Sequence, residues 1–213
     1  MRLIEAYYDN ILRHDVRPLT LGGDHTLSLP ILRAMAKKYG PLALLHIDAH
    51  ADINSHMFGE EIAHGTPFRR AFEEELLDAD QVFQIGLRGT GYTAEDFDWA
   101  SERGFQVVQA EQLWHQSAAP LMDQIRRQIG ARPMYLSFDI DSLDPAYAPG
   151  TGTPEIGGLT SIQALEIIRG CRGLSLVGAD LVEVSPPYDT NGNTALLAAN
   201  LLFEMLCVLP GVE

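Results

Sequence analysis

Cysteine is scarce: the 213 residues hold two, Cys171 and Cys207, far apart and with no Cys-x-x-Cys pair. That speaks against a disulfide scaffold or a thiolate zinc finger and suits a reducing compartment. Basic residues are also few, 15 Lys and Arg against 29 Asp and Glu, for a net charge of −14. A surface of that sign disfavours nucleic acid and anionic membranes as partners, although acidity often serves solubility alone. Long apolar runs are missing. The most apolar late stretch, residues 195–209, is interrupted by Asn200 and Glu204 and is too short to span a bilayer. The amino terminus, MRLIEAYYDNILRHD, is charged and amphipathic rather than signal-like. Low-complexity tracts and solenoid repeats are absent. What remains is an ordinary globular mix, 46% hydrophobic and 21% charged. The length suits one domain with a sizeable core, and a soluble, cytoplasmic protein is expected.

Periodicity alternates between helix and strand along the chain. Helical spacing covers 2–14, a stretch from Thr26 (a candidate cap) to Lys38, 67–77, 93–103, 110–128, 161–170 and 193–208. Apolar runs predict strands at 16–21, 42–47, 81–86, 105–108, 133–138 and 174–182. Six buried-type strands alternating with helices predict a mainly parallel sheet covered on both faces, a three-layer α/β/α fold. Ligands in such folds gather beyond the carboxyl ends of the strands.

The chemistry-bearing residues fall at those ends. Gly22-Gly23-Asp24-His25 follows the first strand, Asp48-Ala49-His50-Ala51-Asp52 the second, Asp139-Ile140-Asp141 the fifth and Glu183 the sixth. In an extended chain, positions i, i+2 and i+4 project to one side, so Asp48, His50 and Asp52 are expected to converge, as are Asp139 and Asp141. With His25 the set is two histidines and four aspartates. Pooled carboxylates raise each other's pKa, and a pair of divalent cations removes that cost. Carboxylate with imidazole suits Mn²⁺ or Zn²⁺, and the lack of thiolate favours the harder manganese. Any one of these motifs alone has a bland reading as a turn or loop cap; together, at the ends of different strands, they point to a metal site. His14, His46, His56 and His115 read as surface or packing residues, with a supporting role open to His46 two residues before Asp48. The glycine-rich GLRGTG at 86–91 lacks dinucleotide-binding spacing, and no Walker lysine or Gly-x-Ser-x-Gly motif occurs. Both cysteines lie in apolar patterns and read as structural.

The blocks LGGDHT, HIDAHAD and SFDIDSLDPAYAPGTGTPEIGGLT resemble the signature blocks of the ureohydrolases: arginase, agmatinase and guanidino-acid hydrolases. HMFGEEIAHGTPFRRA, QIGLRGTGY and LVEVSPPYDTNGNTALLAANLLFEMLCVLPG are most similar to the agmatinase and guanidinobutyrase branch. The resemblance implies an arginase-like α/β/α fold over residues 1–213 as a single catalytic domain, short at its amino-terminal end and lacking the family's first strands. It implies two Mn²⁺ per chain, one on His25, Asp48, Asp52 and Asp139 and the other on His50, Asp48, Asp139 and Asp141. It implies that His64 handles protons near the substrate, that Thr153 and Glu183 lie beside the guanidinium, and that Asp141 and Glu183 join His64 in catalysis. The bland alternatives are a turn role for His64 and a loop or capping role for Glu183. A small guanidino substrate is the implied partner, and full-length relatives form trimers or hexamers.

The activity so implied is hydrolysis of 4-guanidinobutanoate or agmatine, with arginine third, to urea and an amine. A substrate carboxylate would need a donor from the 53–66 or 88–92 loop, where Arg88 and Tyr92 are available. Two other readings compete: a non-catalytic, metal-binding homologue with a binding or regulatory role, and a single-metal deacetylase.

Overall fold

The computed structural model describes residues 1–90 and 95–212, with the side chains of 95–97 outside the description. The start predicted for the 93–103 helix and the candidate donor Tyr92 therefore lie outside the described residues.

The elements run α1 (Arg2–Ile11), β1 (Leu19–Leu21), α2 (Ser28–Tyr39), β2 (Leu42–Ile47), α3 (Pro67–Glu73), β3 (Leu77–Leu87), α4 (Glu95–Glu102), β4 (Gln106–Gln109), α5 (Ala119–Ile129), β5 (Met134–Asp139), α6 (Ser161–Gly170), β6 (Leu176–Val182) and α7 (Asn193–Val208). The six strands form one sheet in the order β1-β6-β5-β2-β3-β4, and every pairing is parallel. A parallel sheet buries both faces, which is why LALLHI of β2 and MYLSFD of β5 read as continuous runs and are buried throughout. One face carries Leu42, Leu44, Val82 and Tyr135 beneath α1, α2, α3 and α4. The opposite face carries Leu45, Ile47, Leu136, Phe138 and Leu181 beneath α5, α6 and α7. The result is the three-layer architecture.

Several expectations shift: the first strand shortens to Leu19–Leu21, the helix expected over 67–77 ends at Glu73, and three further differences are local. The helix expected over 110–128 is two pieces, a 3₁₀ turn at Ala110–Leu113 and α5. The chain between them turns through His115 at φ 57°, and Pro120 fits the first turn of α5, where its missing N–H costs nothing. Thr26 does not cap α2; Asp24 instead accepts from Thr26 N–H and starts a 3₁₀ turn over His25–Leu27 that leads into the helix. The strand expected at 81–86 begins earlier and runs from Leu77 to Leu87.

Strand order sets the position of the site. The chain moves outward through β2, β3 and β4, then returns to place β5 on the other side of β2. The loops leaving β2 and β5 thus diverge at the topological switch point, where a crevice opens. Asp48 and Asp139 stand there.

Candidate metal centre and active site

The three acidic loops share one local device. Asp24 Oδ1 accepts from Thr26 N–H at 3.0 Å, Asp48 Oδ1 from His50 N–H at 2.7 Å, and Asp139 Oδ1 from Asp141 N–H at 2.8 Å. Each aspartate bonds its own backbone two residues on, an Asx turn that ends the strand register. The convergence of Asp48, His50 and Asp52 therefore comes from a turn rather than from the extended alternation that the spacing suggested. Asp52 completes it in the left-handed region at φ 52°, and Glu183 stands at φ 63°. Non-glycine residues hold such angles at a cost, and they concentrate at functional sites.

The turned loops bring the aspartates to two histidines. His25 Nδ1 lies 3.1 Å from Asp48 Oδ2, 2.9 Å from Asp52 Oδ2 and 3.3 Å from Asp139 Oδ2. His50 Nδ1 lies 3.1 Å from Asp141 Oδ2 and 3.5 Å from Asp48 Oδ1. Asp48 thus turns Oδ2 towards His25 and Oδ1 towards His50 and joins the two groups. His25, Asp48, Asp52, Asp139 and Asp141 are buried; His50 is partly open to the crevice.

Protonation shows what such a cluster costs without a cation. Burial, then the charges of Asp141 and Asp48, raises Asp139 well above the usual carboxylate range. Burial and Asp48 push Asp52 up to about 7, and burial and Asp48 also raise Asp141. Burial opposes ionisation of Asp48 too, yet His46, His25 and His50 together hold it well below its ordinary value. His50 goes to about 12, because Asp141 and Asp48 outweigh its burial. Positive charge is what the site demands.

A divalent cation fits this demand. His25 Nδ1 is buried and makes no hydrogen bond of good geometry, although three carboxylate oxygens surround it. Against the effect of burial, those carboxylates raise the His25 pKa well above its ordinary value, so positive charge belongs between them, as a proton or as a cation held by Nδ1. His25, Asp48 and Asp52, with His46 beside them, form one converging group, and Asp48, His50 and Asp141 a second; both ring nitrogens of His46 are taken by Asp48 and Gln84, which leaves His25 as the imidazole of the first. The donor set is imidazole and carboxylate without sulfur, which suits a hard or borderline divalent ion.

His46 is the residue whose part the sequence pattern understated. It is buried under Phe68, with ring centroids 4.1 Å apart, and its Nε2 bonds Asp48 Oδ2 at 2.7 Å. Burial lowers its pKa despite the nearby Asp48, so it is a neutral donor to that carboxylate. The signal was its position two residues before Asp48 on the same face of β2. His14, His56 and His115 are exposed, as expected.

Around the acidic cluster a cavity of about 550 Å³ opens, lined by His50, Asp52, His64, Asp139, Asp141, Thr153 and Glu183 among others. Thr153 Oγ1 donates to Asp141 Oδ2 at 3.1 Å. Glu183 Oε1 accepts from His25 N–H at 2.8 Å, and burial raises its pKa. His64 faces the same cavity, its ring centroid 5.9 Å from that of Phe58. His50, Asp52, His64, Asp139, Asp141, Thr153 and Glu183 thus line one crevice, while His25 and Asp48 are buried against its acidic residues.

Arg88 is not available there in the way the sequence suggested. Its guanidinium donates to the carbonyls of Gly86, Asp141, Ser142, Leu143, Glu155 and Ile156. A guanidinium has five N–H groups, so none is left for a substrate carboxylate. Arg88 instead ties the Asp141 turn to the 153–156 loop. Cys171 is buried, with its thiol pushed up to about 12 by burial, as suits a packing residue.

The family model of the arginase family matches residues 1–207. The chain belongs to the arginase family. Among its arginase-family relatives, guanidinobutyrase of Pseudomonas aeruginosa is 70% identical over 212 residues, covering 100% of this chain and 66% of that protein. The mitochondrial guanidino acid hydrolase of Homo sapiens is 61% identical, covering 99% of this chain and 60% of its own length. Proclavaminate amidino hydrolase from Streptomyces clavuligerus has a solved structure that superposes with a TM-score of 0.89 at 42% identity, covering 95% of this chain and 68% of that one. The chain spans less than two thirds of the length of the two curated relatives.

Proposed function

We propose that this chain forms the catalytic core of a binuclear manganese amidinohydrolase that converts a linear guanidino compound to urea and the corresponding amine. The observation that carries it is the convergence of three carboxylate oxygens on His25 Nδ1 beside the second group on His50. His25, Asp48, Asp52 and Asp139 would hold one ion, and His50, Asp48, Asp139 and Asp141 the other. The bound pair supplies positive charge that offsets the carboxylates and lowers the pKa of water at the site towards about 7.

The chain's own residues do the rest. Glu183 is a carboxylate at the cavity wall and pairs with guanidinium N–H groups, fixing the planar carbon towards the acidic floor. Thr153, held by Asp141, lines the same wall and orients the group by hydrogen bonding. Water adds to the guanidinium carbon, and the C–N bond to the alkyl amine breaks. The leaving nitrogen needs a proton, and His64 at the cavity wall is assigned to deliver it. Asp141 is assigned the proton that water gives up.

4-Guanidinobutanoate leads agmatine as substrate. Support comes from the guanidinobutyrase and guanidino acid hydrolase named among the relatives. Since Arg88 is saturated by carbonyls, a distal carboxylate would take its partner from elsewhere on the cavity rim. Urea release from each compound with added Mn²⁺ tests the reading. Metal-dependent urea from wild type, at least 100-fold above Asp139→Asn, is the expected result. No urea from either compound by manganese-loaded protein would overturn the proposed activity and favour a non-catalytic, metal-binding role.

A further inference from the structure

A polar row crosses the otherwise apolar sheet. Thr20 pairs in register with Asp180, Asp180 with Ser137, Ser137 with His46, and His46 with Gln84. Residues opposite one another in adjacent strands point to the same face, so these five side chains line up across β1, β6, β5, β2 and β3. In β5 and β2 the row lies two residues before Asp139 and Asp48, directly beneath the metal cluster. Asp180, Ser137, His46 and Gln84 are fully buried. Burying that many polar groups is costly unless their hydrogen bonds are made, and here the bonds are made at every member except Gln84 Oε1.

The bonds have a direction that can be worked out by counting protons. Asp180 is a carboxylate with acceptors only, and it receives three hydroxyl donors. Ser28 Oγ and Tyr135 OH donate to Oδ2 at 2.7 and 2.9 Å, and Ser137 Oγ donates to Oδ1 at 2.7 Å. A serine hydroxyl has one proton. With that proton committed to Asp180, Ser137 Oγ can only accept from His25 Nε2, 2.8 Å away. His25 Nε2 therefore carries a proton. In the neutral ring Nδ1, the atom facing Asp48, Asp52 and Asp139, then carries the lone pair that a cation would need.

The other half of the row runs by the same logic. Gln84 Nε2 donates to Ala51 O at 2.7 Å, which can only accept, and this sets the amide orientation. The same Nε2 lies 3.0 Å from His46 Nδ1, which must then accept. His46 is left with its proton on Nε2, aimed at Asp48 Oδ2.

We infer that Asp180, acting through Ser137, is a positioning residue that sets the ring tautomer of His25 and so prepares it as a metal ligand. The inference rests on the metal-centre reading above. It goes beyond that reading by assigning a part to a carboxylate that touches neither cavity nor substrate. Asp180→Asn keeps the shape but changes the direction. The two donors on Oδ2 retain the amide oxygen, so the NH₂ group faces Ser137. Ser137 must then give its proton to His25 Nε2, which places a proton on Nδ1 where the ion should sit.

The test is equilibrium Mn²⁺ binding to metal-stripped wild type, Asp180→Asn, Ser137→Ala and the double variant, each checked by circular dichroism. Loss of an outer partner of a ligating histidine typically costs about 10–100-fold in metal affinity, and that loss is expected for Asp180→Asn. Because both residues act along one path, the double variant is expected to lose no more than Asp180→Asn alone; independent packing defects would add. ¹⁵N-histidine spectra of the Zn²⁺-loaded protein give a readout that mere loosening would not move. The Nε2 proton of His25 is expected to exchange slowly in wild type and to be lost or shifted in both single variants. A folded Asp180→Asn, or, should that variant not fold, a folded Ser137→Ala, with wild-type Mn²⁺ affinity and an unchanged Nε2 proton overturns the inference. Wild type that binds no Mn²⁺ contradicts the metal-centre reading itself, so the two failures are distinguishable.

Discussion

At the scale of single residues, Arg88 and His46 support the candidate ligands from behind, Arg88 by tying down the Asp141 turn and His46 by bonding Asp48. His25, Asp48, His50, Asp52, Asp139 and Asp141 stand in short motifs whose residue types are unusual for a loop. Arg88 looks unremarkable in a string, because its role depends on partners far along the chain, whereas His46 is marked only by its place two residues before Asp48. Arg88 reaches carbonyls 53–68 residues away, which no local spacing encodes. That finding gives a prediction. Arg88→Met leaves several carbonyls without donors and is expected to destabilise by about 3 kcal/mol, since hydrogen bonds to charged groups contribute about 1.5–3 kcal/mol each. Arg88→Lys, with three donors, should recover only part. Denaturant unfolding measures both, and a loss under about 0.5 kcal/mol, the usual range for an unremarkable surface position, would contradict the tethering role.

At the scale of elements, helices and strands with strong periodicity lie where the pattern put them: β2 at 42–47, α6 at 161–170 and α7 at 193–208. The errors sit where local chemistry overrides periodicity. Apolar spacing continues through 110–128, but the turn at His115 and Pro120 divides it. The spacing predicts extended loops after β2 and β5, yet Asx turns shape both. These turns depend on close approach by their neighbours. The chain after β3 comes back against the 48–52 turn, with Arg88 and Gly89 N–H both bonding Ala49 O at 2.9 and 2.8 Å. A Cβ at Gly89 would overlap the His50 ring. Gly89→Ala is therefore expected to displace His50 and weaken the His50–Asp141 ion by about tenfold or more, leaving the His25 group in place. A Mn²⁺ titration reads this as loss of one of two binding steps; two unchanged steps would show that the loop has room.

At the scale of the whole molecule, strand order turns separate motifs into one site. The sheet's switch point between β2 and β5 was implicit in alternating strands and helices, but the order β1-β6-β5-β2-β3-β4 needed the structure. The same sheet carries an acidic cluster with several buried carboxylates, and part of its stability should therefore depend on bound cation. Ligand at 100 times its Kd stabilises by about 2.7 kcal/mol. For a chain of this size that corresponds to a rise in Tm of roughly 5–10 °C per site over EDTA-treated protein. Scanning calorimetry with and without Mn²⁺ measures it, and a Tm indifferent to metal would mean that the cluster is satisfied by protons alone. No helix among the described residues is long and apolar enough to cross a membrane.

The most direct measurement is the metal content of the purified chain after dialysis with Mn²⁺, by elemental analysis, for wild type and Asp48→Asn. Asp48 faces both histidines, so two ions per chain are predicted in wild type and fewer than one in the variant. One zinc ion per chain in wild type, or two ions retained without Asp48, would contradict a binuclear centre built on that shared carboxylate.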